Sequence, residues 1–164
     1  MRLLPSLLMV PILLASACSS AGQGPLAHAG TMVPVLKVTD GDTIHVRYHG
    51  EDERVRLIGV NTPEVSWYGG QSECFGEQAG RYAQGRLTGN SVELAFDVDL
   101  RDRYGRLLAY VYLGPELFNL TLVQQGYART DPIPPDTRMA ATFSQAEADA
   151  KQSGRGLWSA CPAA

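Results

Sequence analysis

Positive charge is scarce in this chain: 14 Lys and Arg stand against 17 Asp and Glu, leaving a formal net charge of −3. That counts against a broad basic surface for duplex DNA, because counterion-driven binding needs many cations at the contact. It leaves room for a single cleft that concentrates positive charge and is supplemented by a bound cation. Cysteine is rare as well, with three residues in 164. Cys74 and Cys161 have no His or Cys neighbour at metal spacing, which argues against a structural zinc site. There is no glycine-rich phosphate loop and no serine-nucleophile elbow, so the commonest nucleotide-binding and acyl-transfer motifs are missing. No internal repeat occurs, and no segment beyond residue 17 is hydrophobic enough to cross a membrane.

What is present begins with a segment that is not fold. Arg2 precedes an apolar stretch from Leu3 to Ala17, broken by Pro5 and Pro11. It is too short to span a bilayer and has the layout of a secretory signal over residues 1–17. Two cleavage readings stand side by side. Ala15-Ser16-Ala17 suits an ordinary signal peptidase, whereas small residues before Cys18 resemble a lipobox with Cys18 as the lipidation site. In the second reading the favoured aliphatic residue, Leu14, sits one place early. Residues 18–31 are small and glycine-containing, as in a flexible tether, and the domain occupies 32–162. The expected location is extracytoplasmic, either lipid-anchored to the envelope or secreted, with membrane contact only through the lipid. If Cys18 carries lipid, Cys74 and Cys161 are left as one candidate disulfide or as two isolated thiols. Closing so long a loop would contribute roughly 4–5 kcal/mol in the chain-entropy model.

The hydrophobic fraction of 45% is enough for one globular core. Val33 to Thr39 is rich in β-formers and runs into the turn Asp40-Gly41-Asp42. Thr43 to His49 alternates, with Ile44, Val46 and Tyr48 on one face and His45, Arg47 and His49 on the other. Glu53 to Val60 gives a third strand. Ala79, Tyr82, Ala83, Arg86 and Leu87 then fall at helical spacing, with Gly89 as the stop. Val92, Leu94, Phe96 and Val98 alternate as a fourth strand, and Asp102-Arg103-Tyr104-Gly105 turns into a fifth, Arg106 to Leu113. Helices are predicted over Glu116 to Gln125 and around Ala140, Phe143, Ala146 and Ala150, with Trp158 as a packing anchor. The expected class is α+β: a five-stranded OB-fold β-barrel with three helices, an architecture whose face and loops commonly bind oligonucleotides.

Three turns gather the chemistry. Asp40-Gly41-Asp42-Thr43 offers two carboxylates to a hard cation, although alone such a stretch is usually a plain hairpin turn. Arg56, read by alternation, shares a face with Ile58 and Val60, where a guanidinium is costly unless an anion meets it. Asn61 and Thr62 supply further oxygens, and Pro63 stiffens the approach to Glu64. Asp102-Arg103-Tyr104-Gly105-Arg106 is alone a charged β-turn. Together these residues match what phosphodiester hydrolysis requires: a metal site, a carboxylate for water, and arginines for the developing equatorial charge. His45 and His49 read as solvent-facing rather than as zinc ligands.

Asp40-Gly41-Asp42-Thr43, Arg56 through Val60-Asn61-Thr62-Pro63-Glu64, and Asp102-Arg103-Tyr104-Gly105-Arg106 resemble, in order and spacing, three signature blocks of the staphylococcal nuclease family. Phe75 to Ala79, Asn119 to Gly126 and Gly156 to Ser159 resemble the entries and ends of its helices, so the likeness covers about residues 33–160. It implies a Ca²⁺-dependent endonuclease, one ion per site, acting on DNA and RNA and leaving 3′-phosphorylated ends. Asp42 would be the chief metal carboxylate, with Asn61 and a Thr62 carbonyl as further ligands. Glu64 would orient or deprotonate water, and Arg56 and Arg106 would clamp the phosphate. Asp40, Asp102 and Tyr104 would support the metal and phosphate. Two features depart from the family. Asn61 stands where an aspartate ligand is expected, and Thr130-Asp131-Pro132-Ile133-Pro134-Pro135 lacks the aromatic residue of the nucleotide pocket. Trp67 and Tyr68 beside Glu64 read first as loop and packing residues, with base stacking as the second reading. The expected form is a monomer favouring single strands. The alternative is a non-catalytic OB module that binds nucleic acid or a surface partner, and Asn61 is the feature that favours it.

Overall fold

The structure, a computed structural model, describes residues 30–161. The signal segment, Cys18 and nearly all of the tether lie outside them. Eight strands and four helices follow in the order β1 (Thr31–Val38), β2 (Thr43–Tyr48), β3 (Glu51–Leu57), β4 (Gly59–Asn61), α1 (Gly76–Leu87), β5 (Ser91–Ala95), β6 (Leu107–Leu113), β7 (Glu116–Leu117), α2 (Phe118–Gln124), β8 (Arg129–Asp131), α3 (Ala140–Gln152) and α4 (Leu157–Ala160). β1, β2 and β3 form an antiparallel meander, and β5 and β6 extend it from the other edge of β1. The barrel closes where β6 runs parallel to β3, in the register Val55↔Leu107, Arg56↔Leu108 and Leu57↔Ala109. Closure removes both sheet edges and produces the expected five-stranded OB barrel.

Alternation accounts for the interior. Ile44, Val46, Val55, Val92, Leu94, Leu107 and Val111 are fully buried inside the barrel strands. Ala83 and Leu87 of α1, Phe118 and Leu122 of α2, and Phe143 of α3 close the core from outside. Full burial of each large aliphatic side chain is worth about 1.5–3 kcal/mol before entropy is counted. Among the buried polar side chains Asn119 is the most enclosed. Its Oδ1 accepts the Val111 N–H at 2.9 Å and its Nδ2 donates to the Ile58 carbonyl at 2.9 Å, tying α2 to the strand ends beside Arg56.

The third strand does not continue to Val60. It ends at Leu57, and Gly59 at φ +77° turns the chain outward so that β4 leaves the barrel and pairs with β8. The position has to be glycine, because the Phe143 ring packs where a side chain on Gly59 would lie, 2.5 Å from that Cβ position. Arg56 therefore does not share a continuous strand face with Ile58 and Val60. The helix expected from Glu116 starts at Phe118, since Glu116 and Leu117 pair with Leu113 and Tyr112 instead. β5 stops at Ala95, and the Asp136 carboxylate takes the Val98 and Asp99 N–H groups at 2.8 and 2.9 Å. His49 lies in a turn at φ 52°, not on a strand, while His45 Nδ1 lies 2.7 Å from Asp52 Oδ1. A fourth short helix, α4, follows the three expected. Trp158 within it lies under both Arg129 and Lys151, at 5.2 and 4.5 Å. A disulfide joins Cys74, just before α1, to Cys161, just after α4.

Candidate active site

The turn between β1 and β2 folds around its own carboxylates. Asp42 donates its backbone N–H to Asp40 Oδ1 at 3.0 Å, a local bond that Asp favours in turns. The Asp42 carboxylate is buried. Its Oδ2 accepts the Thr62 N–H at 2.7 Å and the Thr62 hydroxyl at 3.2 Å, and its Oδ1 accepts the Thr43 hydroxyl at 3.2 Å. Gly41 is required here for space, because a Cβ would come within 2.6 Å of the Thr62 side chain. Asp40 is pushed up to about 7, first by burial and then by the negative charges of Asp42 and Glu64, against the Asp42 N–H bond that lowers it. Acidic oxygens thus converge without enough positive charge among them.

That convergence is the test of whether a cation fits. The groups available are carboxylate and carbonyl oxygens with no thiolate or imidazole, a donor set suited to Ca²⁺ or Mg²⁺. Among the described residues no three His, Cys, Asp or Glu side chains form a complete metal cage. An ion here would depend on backbone carbonyls and water for the rest of its shell.

Arg56 links this acidic turn to the second arginine. Its guanidinium donates to the Leu57 and Val60 carbonyls at 2.8 and 2.6 Å and to Asn61 Oδ1 at 3.1 Å. Its Nε lies 3.5 Å from Asp42 Oδ1, and its Nη2 lies 3.6 Å from Asp131 Oδ2. The outward turn at Gly59 makes this possible by bending the Val60 and Asn61 acceptors back toward Arg56. Across the parallel ladder, Arg106 precedes β6 and donates Nε to Asp102 Oδ2 at 2.7 Å. Asp102 Oδ1 also accepts the Tyr104 and Arg106 N–H groups at 2.9 Å each, so one carboxylate fixes both the turn and the arginine. Burial raises the Asp102 pKa, yet the hydrogen bonds from Arg106 and Tyr104 outweigh it and leave the group lowered. Tyr104 is exposed, with the Arg103 and Arg106 guanidinium carbons 4.8 and 5.6 Å from its ring centre.

Arg56 and Arg106 line one cleft of about 210 Å³, shared with Asp102, Asp131 and Ile133. Asp40, Asp42 and Glu64 do not line it, and Asp42 meets it through Arg56. Glu64 is exposed on a loop held from behind. Its N–H donates to Glu73 Oε2 at 3.0 Å, and its carbonyl accepts the Glu73 N–H at 2.9 Å. Gly76 packs directly on that carbonyl, leaving no room for a Cβ. Gly76→Ala must therefore displace the Glu64 backbone. It is expected to lower kcat about 100-fold, the effect of a misplacement near 1 Å, and to destabilise by about 1–3 kcal/mol. Steady-state kinetics with a thermal melt checks this, and an unchanged kcat would detach Glu64 from the Gly76 contact.

The turns and arginines foreseen in the sequence thus come together, but Asn61 turns its amide oxygen to Arg56. Asp131 was not foreseen. It reaches Arg56 because β8 pairs with β4 in the register Gly59↔Asp131, and the proline-rich run after it disguises so short a strand. The proline-rich run brings no aromatic residue to the cleft, but Tyr104 lines the adjoining surface together with Ile133, and Trp67 and Tyr68 differ from each other. Trp67 packs on Gly80 and donates Nε1–H to the Thr39 carbonyl at 2.7 Å, while Tyr68 is 96% exposed.

Residues 54–160 match the family model described as staphylococcal nuclease homologue. The chain is similar to a thermonuclease of Staphylococcus intermedius, 39% identical over 142 residues that cover 84% of each chain. It is also similar to a thermonuclease of Staphylococcus hyicus, 38% identical over 76% of this chain and 74% of the relative. A third relative, endonuclease YncB of Bacillus subtilis, is 36% identical over 77% of this chain and 61% of its own. The family model, which covers well over half of the chain, and the identity to these thermonucleases show that the chain belongs to the staphylococcal nuclease family.

Proposed function

We propose that this protein is a Ca²⁺-dependent endonuclease that hydrolyses phosphodiester bonds of DNA and RNA and leaves 3′-phosphorylated ends. The observation that carries the proposal is the pair Arg56 and Arg106 sharing one cleft, with Arg56 3.5 Å from the buried carboxylate Asp42. Two planar guanidinium forks can bind the non-bridging oxygens of one phosphate and strengthen that grip as charge develops. Asp42 and Asp40, with the Thr62 carbonyl, are the residues that would hold the ion. When bound, Ca²⁺ offsets phosphate charge and polarises the phosphorus centre. Glu64, exposed and held by its backbone, orients the attacking water and accepts its proton. Asp102 keeps the Arg106 fork aimed, and Tyr104 shields its face. The leader segment and the disulfide both suit an oxidising, extracytoplasmic site of action, lipid-anchored or secreted.

Purified protein incubated with denatured DNA or RNA is expected to cleave both with millimolar Ca²⁺ and neither with chelator. Asn61 carries no charge and its oxygen already serves Arg56, so Ca²⁺ demand should be high. Asn61→Asp is expected to shift the half-saturating Ca²⁺ concentration down about tenfold, in keeping with the dependence of affinity on ligand charge. Binding of nucleic acid without cleavage at millimolar Ca²⁺ would overturn the enzymatic reading in favour of a binding module.

A further inference from the structure

A groove of about 550 Å³ lies between β1, the loop after Glu64 and α1, lined by Lys37, Thr39, Trp67, Tyr68, Gln84 and Thr88 among others. We infer that it is a stacking subsite for a base of single-stranded substrate beside the scissile phosphate, an inference that rests on the nuclease reading. Four observations lead there. Tyr68 presents a large aromatic ring, 96% exposed, four residues after Glu64. Its loop is held: Ser66 donates its hydroxyl to the Gly69 carbonyl at 2.6 Å, and Ser66 N–H donates to Ser72 Oγ at 3.0 Å. Trp67 beneath is fixed by its indole bond to Thr39, the residue before Asp40. The groove therefore begins at the acidic turn and passes under the loop that carries Glu64.

The fourth observation is charge. The β1–β2 ladder carries a bulge between Val35 and Lys37, and both Leu36 and Lys37 consequently face solvent. Bulges re-aim side chains beside active sites. Lys37 makes no ion pair among the described residues, and no acidic residue lines the groove. In a chain of net charge −3 this is an unopposed cation lining the same groove as an exposed ring. That combination tracks a single strand, with the ring taking the face of a base and the ammonium taking a phosphate. A base paired in a duplex has no free face to offer, so the groove selects single strands.

The test is equilibrium binding of a short fluorescein-labelled oligothymidylate to the full chain, with chelator present so that the probe stays intact. Tyr68→Ala is expected to weaken binding roughly 5- to 150-fold, whereas Tyr68→Phe keeps it. Lys37→Gln is expected to reduce the salt slope of log K by about 0.7, one phosphate contact on a single strand. Affinity for an intact duplex should not change in Tyr68→Ala. Equal affinity of Tyr68→Ala and the parent for the oligothymidylate, or an equal loss on single strand and duplex, overturns the subsite. Failure of the parent chain to cleave with Ca²⁺ would instead sink the nuclease reading and leave this binding result standing on its own.

Discussion

Glu64→Gln is expected to lower kcat on denatured DNA by about 10²–10⁴-fold, the range for loss of a positioned acid–base group, with KM and fold preserved. The separation of activity from stability follows from how Glu64 is held. Its backbone makes both contacts with Glu73, and its carboxylate makes no hydrogen bond or ion pair among the described residues. Exchange for an amide of the same shape therefore removes chemistry without removing packing. The change should even relieve Asp40, whose pKa is raised to about 7 by burial and then by Asp42 and Glu64. A carboxyl raised in the folded state contributes stability that is full below its unfolded pKa and is lost as pH rises through the folded one. With the Glu64 charge gone, that loss between about pH 4 and 7 should shrink. Melts in chelator across this range check it, and a variant that loses stability would give Glu64 a structural role. Arg106→Ala is the companion experiment, with an expected fall of about 10²–10³-fold in kcat, and Arg106→Lys should recover little because the planar fork is lost. Arg56→Ala is a less clean probe. It also removes donors to the Leu57 and Val60 carbonyls and the cation nearest Asp42, so both kcat and stability should fall.

How much of this was legible in the sequence depends on the range of the interaction that decides each feature. The Asp40–Thr43 and Asp102–Arg106 turns are written in local chemistry. Asp side chains bond backbone N–H groups two to four residues on, and those are the bonds observed. The meander, α1 and its end near Gly89 follow from periodicity of two and of 3.6. The break after Leu57 does not, because Ile58 and Val60 continue an apolar pattern while Gly59 turns the chain outward where Phe143, from a distant helix, leaves no room for a side chain. Parallel closure of β3 on β6 is equally invisible, since nothing local specifies a partner far along the chain. Asp131 was missed for the same reason: three residues of strand carry no pattern, and only pairing with β4 brings that carboxylate to Arg56. Adjacent aromatics show the limit most plainly. Trp67 and Tyr68 read alike in sequence, yet Gly80 and Thr39 take one ring into the fold and leave the other in solvent.

The double variant Cys74→Ser, Cys161→Ser, or reduction of the parent chain, is expected to lower stability by about 2–5 kcal/mol, the usual range for losing a native disulfide. The two cysteines are 87 residues apart, and the chain-entropy model gives about 4–5 kcal/mol for a loop of that length. In a domain of this size a loss of about 2–5 kcal/mol corresponds to a fall in Tm of roughly 7–18 °C. The cross-link also has a local consequence. Cys74 follows Glu73, whose N–H and carboxylate both hold the Glu64 backbone, and it precedes the Phe75–Gly76 entry of α1. Anchoring Cys74 to the end of α4 therefore steadies the loop that presents the Glu64 carboxylate. Below its melting point the reduced protein should bind nucleic acid as before and turn over more slowly, so kcat falls while KM holds. A purely global role would leave kcat at the parent value until unfolding begins, and equal melting points with and without reductant would remove the disulfide from the stability of this fold. A nuclease that depends on the bond would reach full strength only in an oxidising compartment, away from the reduced cytoplasm and the nucleic acid it contains.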